Sequence, residues 1–575
     1  MPQTQVPHFS TESSFPYPSD VSASRSPISA SSSAHLPFWS QGSHSPALAH
    51  STPSSELSYG NYNQPLVDPQ LWMQSTGVDF EVARDFMETA DLATPTLAPQ
   101  AADFGPNVDH GDFDNERRYF DAYWSSIHSS WPVIHRPTFD PASTSPLLRA
   151  AIIALGAQAT GDRTHISNAR ILHERCLKVL KQRTIKNRHS YRICDIQAIV
   201  LIDVYAIYKS RRPPLQLSKT FGVAYNYLAA NLTSTGAPWQ DYSSFGASGL
   251  GSSINEQCQQ RLLAACYILD QQHAALFGRS EMSVLTEHPG NLVYPQTQVV
   301  WDSPAEQPEL YGYAATLMPA PYTFVYDAVT AASTLSGSDG QHDSFASMLL
   351  LAYLAGDNTY NNNVFEQEEQ ACAIRLAVEQ SPKTLLAYHT FMLCKHSHIR
   401  DLLAVAGESW VMAEKLTSQS DYTASQIDTH RWASEPTTVP SDVHTALTHA
   451  LEILKLHNAC PKTGLLFQEW SIYLASIVIW ARAYVTNKGS RKPRVSVPSP
   501  TEPRIPAHEL DRTVATLIEK GPESAIGLRE ARNVLMWTKA QIEKVDVPHN
   551  SGLTNGALDV LGKLVTRGSE GGHWF

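Results

Sequence analysis

The sequence predicts an all-α protein: a large multi-helix domain behind a polar, disordered N-terminal tail. Three observations carry this. From residue 116 onward apolar residues recur at helical spacing, as in Ile193, Ile196, Val200, Val204 and Ile207. No convincing series of alternating apolar and polar residues marks strands. Prolines and Ser/Gly clusters interrupt the helical stretches near 231–255, 284–322, 334–344, 416–442 and 493–506, where surface loops are expected.

The tail comes first, in two parts. Residues 1–65 are Ser/Pro-rich; the first sixty hold 18 Ser, 8 Pro and no Lys. They bury too little apolar surface to offset the entropy of ordering, so disorder is expected. Residues 66–115 are acidic, with Leu71, Trp72, Phe80, Phe86, Phe104 and Phe113 interleaved. Such a stretch can work as an activation segment, its charges keeping the aromatics solvated until a partner's groove takes them, or as a plain acidic linker.

The helical part spans 116–566 and opens on Tyr119, Phe120, Tyr123, Trp124 and Ile127, five large groups on one helical stripe. Asp112, Asp114 or Asn115 is expected to cap this helix and Pro132 to end it. Pro132, Pro137, Pro141 and Pro146 then stiffen an extended exit, from which Val133, Ile134 and Phe139 can reach a core. A second helix should begin near Leu147. Leu262, Cys266, Leu269, His273 and Leu276 form a later stripe, and Val443, Leu447, Leu451 and Leu454 another. The run from Leu465 to Val485 is apolar on nearly every face, which predicts a central buried helix. Two more helices are expected near 523–545 and 555–566, followed by a short tail, 567–575.

Two segments carry a family resemblance. YFDAYWSSIHSSWPVIHRPTF followed by SPLLRAAIIALGA resembles the opening of the fungal-specific transcription factor regulatory domain, or middle homology region. The version it most resembles lies behind paired two-Cys two-His zinc fingers. The matching residues are Phe120, Tyr123, Trp124, Pro132, His135, Arg136, Pro137, Phe139, Leu147, Leu148 and Gly156. RLLAACYILDQQHAALFGRSE resembles the later signature helix through Arg261, Tyr267, Asp270, Gly278 and Arg279, with a proline-rich loop ending at Trp301. The resemblance implies a nuclear regulator of RNA polymerase II genes, of a metabolic or secondary-metabolite gene set, with transcription machinery or coactivators as partners. Read as residues, an Arg and an Asp on a buried helix are partners for polar groups inside the bundle.

Relatives of that family normally carry a binuclear zinc cluster or two zinc fingers before the regulatory domain. Neither pattern is present: the seven cysteines, 176, 194, 258, 266, 372, 394 and 460, show no short repeated spacing. A truncated gene model, a real loss, or a cofactor working through a DNA-bound partner would each account for this. The net charge of -12 opposes unaided binding to a polyanion, so contact with DNA itself is expected to be weak and local, or to belong to a partner. Two basic patches, Lys178, Lys181, Arg183, Lys186, Arg188 and Arg192, then Lys209, Arg211 and Arg212, read as solvated helix ends that suit the helix dipole. KGSRKPR, residues 488–494, is a candidate nuclear import signal through Lys488, Arg491, Lys492 and Arg494.

Catalytic and metal chemistry finds no home in the sequence. The phosphate-binding G-x-x-x-x-G-K-[ST], the G-x-S-x-G nucleophile elbow, the H-E-x-x-H zinc pair and any Asp-Asp pair are all missing. GASGLGSS, residues 246–253, reads as a flexible loop. His173 with Cys176, Cys394 with His396 and His398, and His457 with Cys460 are pairs and triples without the four close ligands of structural zinc. No enzyme activity, cofactor or metal is expected. Gln468, Glu469 and Arg482 interrupt the most apolar run, which argues against a membrane span. The alternative to a regulator is a small-molecule-sensing helical protein or an enzyme remnant, with a polar pocket near Arg261, Asp270 and Arg279.

Overall fold

Tyr119, Phe120 and Tyr123 lie on one face of α1, Phe113–Ser126, and that face packs on α2, Pro146–Ala159. Gly156 sets how closely the two backbones meet: a Cβ there would stand 2.0 Å from the Tyr119 carbonyl oxygen. Beside this crossing Arg149 of α2 donates from Nη2 to Glu116 Oε2 at 2.7 Å, and its Nε donates to the other carboxylate oxygen. The pair is bidentate and mostly buried, which fixes register as well as contact. The structure, a computed structural model, describes residues 113–182, 192–210, 214, 216–233, 249–282, 284–285, 289–302, 322–334, 342–356, 364–407, 419–436, 441–487, 505–546 and 551–569. All lie within one unit of the chain, Val67–Phe575.

The fold class is all-α. In order follow α3 (Arg163–Gln182), α4 (Ile193–Lys209), α5 (Lys219–Thr233), α6 (Gly249–Phe277), the single turn α7 (Gln298–Trp301), α8 (Val325–Thr334) and α9 (Ser344–Ala355). The remainder are α10 (Val364–Ala377), α11 (Pro382–Lys395), α12 (Ile399–Ala406), α13 (Gln419–Ala433), α14 (Asp442–Ala459), α15 (Gln468–Asn487), α16 (Ala507–Lys520), α17 (Leu528–Asp546) and α18 (Gly552–Ser569). Among the described residues the only β pairing is one isolated bridge, Val293 with Phe324.

Two helices organise the packing. α6 lies against α4, α5, α9, α11 and α12, whereas α15 lies against α11, α12, α13, α14, α17 and α18. The predicted central helix is thus α15, and it buries Trp470, Tyr473, Ile477, Val478 and Trp480. Helices apolar all round belong inside a bundle, because no face gains by meeting water. The two centres touch where Trp470 Nε1 donates to the Leu276 carbonyl at 2.9 Å and the Phe277 and Trp470 rings meet at 5.5 Å.

Several sequence expectations need correction. α1 stops at Ser126, well before Pro132, because the Ile127 and His128 amides both close on the Tyr123 carbonyl at 2.9 and 3.0 Å. The chain turns there, and the turn lets His128 and Trp131 be buried. Asp114 and Asn115 lie inside α1 rather than at its cap. Residues 231–233 and 249–255, read as loop, extend α5 and α6, so GASGLGSS runs into a helix. The 416–442 loop contains α13, whose narrow stripe of Ser425, Thr429, Trp432 and Ala433 is too polar to register as hydrophobic periodicity. α16 lies where no helix was expected, directly after the prolines of 493–506, with Leu510, Val514 and Leu517 buried.

Candidate functional site

The two segments that stand out in the sequence meet through a third. Arg261 of α6 is fully buried, 0% exposed, with its guanidinium 4.6 Å from the Trp301 ring centre and 5.5 Å from that of Phe345. Its Nη1 donates to Gln298 Oε1 at 3.2 Å and its Nη2 to the Gln296 carbonyl. A guanidinium suits this place because it can stack between rings while donating in its own plane. Gln298 in turn donates from Nε2 to Asp302 Oδ2, and Asp302 Oδ1 meets His128 Nε2 at 2.9 Å. His128 sits just past the end of α1 and packs on Trp124, ring to ring, at 4.8 Å. A continuous polar path therefore runs from α6 through α7 to the opening element.

The opening residues form the apolar floor of that path. Phe139 packs on Phe120 at 5.6 Å and on Trp124 at 5.4 Å, and Arg136 lies over the Trp124 ring at 5.6 Å. Tyr123 is fully buried. Pro132 and Pro137 hold the connection on which His135 meets Trp301 edge to face at 4.7 Å, with its Nδ1 2.9 Å from Thr138 Oγ1. From α4, Gln197 Nε2 donates to the Val133 carbonyl at 2.7 Å.

Burial sets the proton equilibria here. It pushes the His135 imidazole down to about 4, with the Asp302 charge opposing. Asp302 itself is pushed up by burial, but the His128 hydrogen bond and charge outweigh that and hold it below the ordinary carboxylate range.

Asp270 does something separate. It lies nine residues along α6 from Arg261, about 13 Å at helical rise, and both its oxygens take the Met282 amide, at 3.0 and 3.2 Å. Gly278 and Arg279 form the helix exit: Gly278 has φ +58° and the Arg279 amide bonds back to the Ala274 carbonyl at 2.9 Å. This is the left-handed terminus that glycine favours. The structure thus brings Phe120, Tyr123, Trp124, His135, Phe139 and Arg261 into one connected region but gives Asp270, Gly278 and Arg279 to another. Each side chain hydrogen-bonds a different stretch of the protein, Arg261 to Gln296 and Gln298 and Asp270 to Met282, so a shared polar pocket between them has no support in this geometry.

His128, Gln298 and Asp302 were missed, and so was Asp203 of α4, which accepts from the Ser218 amide at 3.0 Å and its hydroxyl at 2.8 Å. Asp203 had a signal, a lone acid inside IVLIDVYAIY; the others did not. Of the His/Cys groups, His173 faces the Ile202 carbonyl at 3.0 Å and stacks on Tyr205, His396 pairs with Asp442 at 2.8 Å, and His457 faces Gln468 at 3.2 Å. Among the described residues no three His, Cys, Asp or Glu stand where they could hold a metal ion, and no helix is long and apolar enough to cross a membrane. Lys488, Arg491, Lys492 and Arg494, and the acidic stretch before α1, lie outside the described residues.

Comparison with known proteins agrees with the resemblance. Residues 120–309 match the family model of the fungal specific transcription factor domain. The chain is also similar to a nicotinate catabolism cluster-specific transcription factor of Emericella nidulans, 21% identical over 409 residues, covering 63% of this chain and 47% of the relative. The chain therefore spans about half the length of that relative. No solved structure matches.

Proposed function

We propose that this chain is a nuclear regulator of RNA polymerase II transcription in a fungus, acting through its helical domain. The single observation that supports this most is where the family match falls. Residues 120–309 take in the second half of the opening helix, the signature helix and the α7 turn, the three segments joined through Arg261, Gln298, Asp302 and His128. The similar transcription factor is named for a catabolic gene cluster, and a metabolic or secondary-metabolite gene set is the corresponding reading here. The mechanism is recruitment: the helical domain holds the transcription machinery or a coactivator, with the acidic segment 66–115 as a second contact. DNA targeting comes from a DNA-bound partner or from a zinc module that this sequence does not contain. Import uses Lys488, Arg491, Lys492 and Arg494. No catalytic reaction is assigned.

Chromatin immunoprecipitation of the tagged chain tests the reading: promoter enrichment is expected, and its absence, direct or indirect, removes it. Binding of purified chain to DNA fragments from the enriched promoters then separates targeting by this chain from targeting by a partner. Alanine at Arg491, Lys492 and Arg494 together is expected to abolish nuclear accumulation, and normal accumulation would exclude an essential role for that run.

A further inference from the structure

The exit of α6 is closed by an acid with no base beside it. Asp270 is 2% exposed, the Met282 amide is its hydrogen-bond donor, and among the described residues no cationic side chain pairs with it. The turn it holds is boxed in from the other side. A Cβ on Gly278 would stand 2.8 Å from the Arg400 backbone nitrogen of α12, so the turn is seated between α6 and α12 with no slack. Beyond the turn the chain runs to Gln296, Gln298 and Trp301, the groups that hold Arg261.

The groups around this carboxyl are acidic or neutral. Cys266 and Tyr267 face it from α6, Tyr225 from α5 and Glu281 from the turn, while Asp203 of α4 bears on Cys266. Tyr353 of α9 bears on Tyr267, Arg279 lies in the turn itself, and Arg400 contributes its backbone.

We propose that Asp270 is a proton-controlled latch: the neutral carboxyl keeps the 278–282 turn seated on α6, and loss of its proton to solvent frees the turn. A neutral carboxyl can be buried against one amide donor. A carboxylate in the same place, with Glu281 as a neighbour, gains by reaching water, and lifting the turn lets it do so. Burial raises the Asp270 carboxyl from 3.8 to about 7, with the Met282 bond opposing. Between those values the seated turn keeps a proton that the open turn has released. Opening is therefore promoted as pH rises through that window and levels off above it.

Hydrogen exchange of the full chain, read by mass spectrometry on peptides covering 277–285 at about pH 5.5 and about pH 8, tests this after division by the intrinsic exchange rate. Opening is expected to increase on the order of tenfold or more at the higher pH, with α15 peptides unchanged. Asp270→Asn should abolish the increase. An unchanged wild-type turn, or the same increase in the Asn variant, overturns the proposal. Should that variant fail to fold, Glu281→Gln decides: removing the neighbouring charge should move the transition to lower pH, and an unmoved transition refutes the latch.

Discussion

α6 and α15 are both central and both buried, yet they do opposite things with polarity. α6 buries Arg261 and Asp270, and each binds an irregular stretch of backbone, the Gln296 carbonyl and the Met282 amide. On α15 the buried polar groups are neutral: Gln468, at its first residue, bonds the 461–463 connection, whereas the fully buried serines close on neighbouring helix backbone and on Thr390. Ser471 donates to the Phe467 carbonyl and receives from Thr390, and Ser476 donates to the Tyr473 carbonyl. Arg482, the cation of α15, sits near its exposed end and donates to the Ala433 and Glu435 carbonyls. Ionisable side chains on the buried α6 thus pin connections, where backbone donors and acceptors have no helical partner. Apolar bulk is used to pin helices. Damage to α15 should lower stability as a whole, whereas damage to α6 should loosen particular turns.

The contrast can be broken in order of expected effect. Trp470→Ala should cost most, about 3–5 kcal/mol, because it empties a buried site and leaves the Leu276 carbonyl without its donor. Chemical denaturation should show one cooperative transition moved to lower denaturant. Arg261→Ala comes next, at about 2–4 kcal/mol, since the Gln296 carbonyl and the Trp301 and Phe345 rings all lose their partner. Arg261→Met should recover part of that by refilling the space. If Met is no better than Ala, charge matters here more than packing.

Asp203→Asn sharpens the comparison through pH. Burial lifts the Asp203 carboxyl to about 6, with the Ser218 bonds opposing. Its unfolded counterpart ionises near 3.8, so the folded state binds the extra proton between those values. Stability contributed by this group is whole below about pH 4 and falls as pH rises to about 6, by on the order of 2–3 kcal/mol. The Asn variant should lack that component when denaturation is compared across the range. Gly156→Ala should cost about 1–3 kcal/mol as α1 and α2 are forced apart, a loss read by thermal denaturation. Lys455→Ala, which breaks an exposed pair with Glu452, should change stability by no more than about 0.5 kcal/mol.

How much of this the sequence disclosed follows from the range of each interaction. α4, α6 and α14 were legible because a stripe repeats every three or four residues within one segment, and α15 because its run is apolar on nearly every face. α13 and α16 were not: their buried stripes are short, and in α13 partly Ser and Thr. Gly156 was visible as a matching residue, but its reason, the Tyr119 carbonyl, appears only when α1 and α2 are crossed. The same holds for the polar path. His128 and Asp302 are 174 residues apart, and no local pattern announces such a partner. That Arg261 and Asp270 share a helix was visible too, but not that they turn to different neighbours, Gln296 and Gln298 for one and Met282 for the other.

The bond from Trp470 to the Leu276 carbonyl spans 194 residues. On a ribosome adding about 5–20 residues per second, the end of α6 waits roughly 10–40 s for the side chain that finishes it. During that interval Phe277 has no Trp470 to cover it, and the first half of the domain exists with an unfinished face. Time, rather than sequence order alone, joins the two central helices: the domain completes its interior only once its later half has been made.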